Sequence, residues 1–142
     1  MENLVIGNAE SLARLRDFLS RVKDDHLERG LKDGRNGKAI LGHLAFYDLR
    51  AAALLEYWSA AGVRASPIDP EIVNEALLPV LQHLPVRAAR DLALQAAERI
   101  DALIAAAPDS LITMILAQAT QFHLARAIHR NAHLEELESL LA

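Results

Sequence analysis

The chain has no cysteine. That excludes disulfides, thiolate metal ligands and a cysteine nucleophile, so metal chemistry must rest on His, Asp and Glu, and any thiol must arrive with a substrate. No apolar run reaches the roughly 20 residues needed to span a bilayer, and Met1-Glu-Asn-Leu-Val-Ile6 lacks the basic start of a signal peptide. Both absences point to a soluble, cytoplasmic protein. Nor is there a basic cluster longer than a scattered pair. With 15 basic against 19 acidic residues the net charge is −4, which argues against electrostatic binding to nucleic acid or to an anionic membrane. Strand-like alternation, internal repeats and low-complexity segments beyond alanine enrichment are also missing.

What is present is helical periodicity. The 142 residues suit one domain, 1–142, with a core of its own. Asn8 and Ser11 read as caps of a first helix with an apolar stripe at Leu12, Leu15, Phe18, Leu19 and Val22. His26 falls one turn beyond, facing the helix C-terminus. Three glycines in Gly30–Gly37 mark a loop. From Lys38 to Ala61 the sequence predicts a helix of about six turns ending at Gly62. Leu41, Leu44, Leu55 and Trp58 form one of its stripes, and Ile40, His43, Tyr47, Arg50 and Leu54 a neighbouring one of mixed chemistry. Gly42 leaves room for a backbone or a ligand beside His43.

Asp69 and Pro70 signal the start of a short helix that Pro79 and Pro85 interrupt. Val86–Ala106 follows as a longer helix, with Ala89, Leu92, Ala96 and Leu103 on its inner face. Pro108-Asp109-Ser110 separates it from a last helix, about Leu111 to Leu141. The expected fold is all-α: four long helices, with a short one in the connection between the second and third. Trp58 and the alanines and leucines of the long helices are candidates for an isologous homodimer interface.

Near the end of that last helix, His129 and His133 are four residues apart, which puts both imidazoles on one face, close enough to share a divalent ion. Phe122 and Arg126 precede them, and Leu134 and Leu137 lie beside them, so the pair borders the core. Of the other histidines, His43 is the best placed to complete a three-histidine site. His26 and His83 read as structural or loop residues, and His123, six residues before His129, is turned to another face. Tyr47 and Arg50, one and two turns past His43, are candidates to line the same cavity, Tyr47 as a hydrogen-bond or proton donor and Arg50 as a carboxylate holder; core packing and a surface ion pair are the plainer readings. Glu136 is either a partner of His133 or a solvated charge.

Three segments, in this order and separation, carry a resemblance: Ala39-Ile-Leu-Gly-His43-Leu-Ala-Phe-Tyr-Asp48, Val73-Asn-Glu-Ala76 and His129-Arg-Asn-Ala-His133-Leu-Glu-Glu-Leu137. Together they resemble the DinB-like superfamily, four-helix bundles that include bacillithiol S-transferase-like proteins and the N-terminal domain of mycothiol-dependent maleylpyruvate isomerase. The resemblance covers nearly the whole chain and departs from the common pattern at Ala39, where many relatives carry Trp. It implies a nickel or zinc ion on His43, His129 and His133 with open positions. It also implies a thiol-dependent transferase or isomerase acting on small electrophiles, with a low-molecular-weight thiol as cosubstrate. The alternatives are a non-catalytic metal- or ligand-binding bundle with a stress-related role, and a helical interaction protein without metal.

Overall fold

Leu12, Leu15, Phe18 and Leu19 are all buried on helix α1, Glu2–Arg21, as their spacing predicts. The helix starts before Asn8 and Ser11, however, and these two polar residues lie buried within it rather than capping it. It also stops before His26. Val22 turns extended, and the chain enters a single turn, α2, Asp24–Leu27, where His26 Nδ1 donates to the Leu140 carbonyl at 2.9 Å. Its partner is thus a distant backbone group, not the end of α1. In this computed structural model the described residues are 1–31 and 33–142, and they are helical with no β-strand among them.

Helix α3, Gly37–Ala61, begins where the Asn36 side chain accepts the Ala39 N–H at 2.9 Å. It ends at Gly62, whose φ of 93° suits glycine. Leu41, Leu44, Leu55 and Trp58 are buried along it. Trp58 is only 2% exposed, edge-to-face against Phe122 at 5.2 Å, and so offers no dimer surface. Helix α4, Pro70–Gln82, runs through Pro79 instead of stopping there. Proline removes one N–H, but its would-be acceptor, the carbonyl of exposed Glu75, can turn to water. A Cβ at Gly42 would meet Leu81 Cδ2 at 2.8 Å, so the space that glycine provides is filled by α4 and not by a ligand.

Helix α5, Val86–Ala106, lies where the sequence puts it, but Leu92 is exposed; its inner face is Ala89, Ala93, Ala96, Ala97, Ile100 and Ile104. The small alanines let α3 come close along its length. The expected last helix is broken in two, α6, Asp109–Gln118, and α7, Arg126–Glu138, followed by a 3₁₀ turn at Ser139–Leu141. The break needs no glycine or proline. Phe122 turns onto Trp58, and Asn8 takes over the freed backbone groups: its Nδ2 donates to Leu124 O at 3.0 Å and its Oδ1 accepts the Ala127 N–H at 3.0 Å. Asn8 therefore caps a helix 119 residues away. No single helix is long and apolar enough to cross a membrane.

Helices α1, α3, α5 and α7 meet around one apolar cluster, and α3, α5 and α6 around a second. One holds Leu15, Phe18, Leu41, Leu44, Ala93 and Leu134; the other holds Ala52, Leu55, Trp58, Ile100, Ile104 and Ile115. Polar residues interrupt the apolar faces of these helices: buried Asn8 and Ser11 on α1, Asp48 on α3 and Arg126 with Arg130 on α7, and partly buried Asp101 on α5. The Asp48 carboxylate takes Arg126 Nε at 2.9 Å on one oxygen and Arg130 Nη2 at 3.3 Å on the other. Arg130 also reaches both oxygens of Asp101 at 3.0 Å and Ser11 Oγ at 2.9 Å. These bonds fix the rotation of α7 against α3 and hence the placement of the histidines on both.

Candidate metal centre

His43 leaves α3 on the side of α7 that carries His129 and His133, and the three side chains converge. One ring nitrogen from each lies within 4.8 Å of the others, and His43 Nε2 and His129 Nε2 are 3.0 Å apart. Two ligands of one first-row ion, with bonds of about 2.0–2.1 Å, come about this close. Burial lowers the pKa of His43 to about 4 and that of His129 to about 3, with the charge of His133 adding to the effect. Both rings are therefore neutral at neutral pH, the form that donates a lone pair to a metal.

The third ring is oriented from behind. His133 Nδ1 lies 2.7 Å from Glu136 Oε1, and because a carboxylate only accepts, Nδ1 carries the proton and Nε2 the lone pair. Glu136 is thus a partner of His133. Its other oxygen is held by Arg35, which also binds Asp33 Oδ2 through Nε at 2.6 Å. The hydrogen bond from Arg35 holds the Asp33 carboxyl below its ordinary pKa. This chain ties the loop before α3 to the histidine-bearing side of α7.

A cavity of about 830 Å³ opens in front of the three rings. Tyr47 and Arg50 both line it. The Tyr47 hydroxyl donates to Asn74 Oδ1 of α4 at 2.7 Å, and burial raises its pKa. Arg50 Nη2 donates to Ser66 O at 2.7 Å. Comparison with protein-family models, curated proteins and solved structures finds no match. What is known of the site is therefore its own geometry.

Exposed His123 also lines the cavity but stands outside the three-histidine group, and exposed His83 bonds Pro79 O at 2.7 Å. Sequence reasoning missed Arg35, Asp33 and Asn74, which reach the site from loop and neighbouring helix. It also missed the Asp48, Asp101 and Arg130 belt. The one signal for the belt was the Arg126–Arg130 spacing of four, which places two cations on one helical face beside the histidines.

Proposed function

We propose that this chain is a metal-dependent protein of DinB-like type, a four-helix bundle in which His43, His129 and His133 hold a divalent ion, nickel or zinc. In this reading it acts in thiol-dependent transfer or isomerisation of small electrophiles. The observation that carries the reading is the convergence of three imidazoles from two helices at the wall of a roomy cavity. A bound ion with an open position would supply Lewis acidity, lowering the pKa of a thiol or water.

The chain's own residues have definable tasks. Burial keeps His43 and His129 unprotonated, and Glu136 fixes the tautomer of His133. Tyr47, kept protonated and with its hydroxyl hydrogen held by Asn74, stands beside the rings, its ring centroid 4.9 Å from that of His43. A second reading, a non-catalytic binding bundle, is favoured by one observation: the only carboxylate lining the cavity among the described residues, Asp33, is already paired with Arg35. No free carboxylate is then at hand to act as general base.

The test is the metal content of tag-free protein by plasma mass spectrometry. About one equivalent per chain is expected, lost in His43→Ala and His129→Ala with helicity unchanged. Wild-type protein that takes up no ion on reconstitution overturns the reading. With metal established, turnover of thiol and electrophile separates the enzyme from the binding bundle.

A further inference from the structure

Three arginines line the large cavity, and two of them are neutralised. Arg126 is held by Asp48, and Arg35 by Asp33 and Glu136. Arg50 differs. Among the described residues it has no carboxylate partner; its contacts are the carbonyl and the hydroxyl of Ser66, at 2.7 and 3.3 Å from a single nitrogen, Nη2. Both of these partners are neutral, so the guanidinium charge facing the cavity is uncompensated, and its Nε and Nη1 remain free to donate.

Its position is as informative as its charge. Arg50 lies seven residues after His43 on the same helix, two turns on and about 10 Å along the axis, so the two share a face. It also stands where the main cavity adjoins a smaller one of about 180 Å³, and Ile68, Gln121 and Phe122 line both with it. Leu54 and Trp58 complete the apolar side of the smaller space. An uncompensated guanidinium thus sits beside an apolar recess, one molecule's length from the histidines.

We propose that Arg50 is the carboxylate-binding residue of this cavity, and that its ligand is a small organic acid with an apolar body seated against Ile68 and Phe122. A monovalent carboxylate matches one uncompensated guanidinium charge, whereas a phosphate dianion would leave a charge unpaired, because Arg35 and Arg126 are already committed. That the same molecule presents its reacting end to the three histidines rests on the metal-dependent reading above. The binding of the acid does not.

The experiment is calorimetric titration of the full chain with phenylacetate, with its neutral counterpart phenethyl alcohol, and with inorganic phosphate, metal content being measured on each sample. Phenylacetate is expected to bind roughly 10- to 100-fold tighter to wild type than to Arg50→Gln, a substitution that keeps an amide donor for Ser66 O. Arg50→Lys, which keeps the charge without the guanidinium, is expected in between. Phenylacetate is also expected to outbind phenethyl alcohol and phosphate, and to keep its affinity in metal-free His129→Ala. Absence of phenylacetate binding, equal binding by wild type and both Arg50 variants, or tighter binding of phosphate overturns the proposal. Affinity lost in His129→Ala but kept in Arg50→Gln would place the acid on the ion and overturn it too. If wild type proves metal-free yet binds phenylacetate through Arg50, the acid site stands and the metal-dependent reading falls.

Discussion

Two polar clusters cross the same interface, α3 against α7, on opposite plans. Asp48, Asp101, Arg126 and Arg130 alternate in charge and satisfy one another, all buried except the partly exposed Asp101, with Arg130 Nε the one buried side-chain polar atom without a partner among the described residues. His43, His129 and His133 are three groups of one kind, half-buried at a cavity wall, whose facing nitrogens have no opposite charge between them. The first cluster is complete within the fold; the second is open to completion from outside. Burial of charge alone therefore does not mark a site. What marks one is a set of buried donors left aimed at the same empty point.

The contrast can be broken most forcefully at Asp48. Asp48→Ala leaves two buried guanidiniums short of an anion and is expected to cost about 3–5 kcal/mol of folding stability, read as a fall in the urea midpoint. Next in size is Glu136→Ala, expected to weaken metal binding about 10- to 100-fold in competition with a chelator while leaving the midpoint of the metal-free protein nearly in place.

A pH series sharpens the same comparison. In the unfolded chain His43 and His129 take up protons below about pH 6.5, whereas in the folded metal-free protein they resist protonation down to about 4 and about 3. The unfolded chain then binds more protons in this window, so their contribution to stability is full above about pH 6.5 and declines as pH falls towards 4. Urea midpoints of metal-free protein should follow that decline, and the double variant His43→Ala, His129→Ala should show a flatter one. The smallest effect belongs to His129→Ala in metal-free protein at neutral pH, about 1 kcal/mol or less, because no charged partner is stranded. A loss as large as that of Asp48→Ala would erase the distinction between the two clusters.

The sequence made the histidines legible because spacing in a helix is geometry: residues 129 and 133 share a face wherever the helix lies, and His43 stands in an apolar helix that had to pack against something. The α1 stripe was legible for the same reason. The break at residues 119–125 was not, since Ala-Thr-Gln-Phe-His-Leu-Ala contains no breaker; it is imposed by Trp58 and Asn8, which are remote in sequence. Asn8 shows the limit well. Its side chain does the capping its chemistry suggests, but for α7 rather than α1. Arg35 and Asn74 escaped notice because loop and inter-helix contacts carry no periodicity.

The cap that Asn8 provides also dictates an order of events. Its partners are 116 and 119 residues away, and the His43–His129 pair is separated by 86. A chain emerging from the ribosome must wait for residue 127 before α7 can be capped, and for residue 133 before the third imidazole exists. Until residue 129 is made the nascent protein has one histidine of the set, and until residue 133 it has two of the three. Under the metal-binding reading proposed above, metal selection would be deferred to a finished fold, where ring placement has been settled by the charge belt and not by whichever cation arrives first.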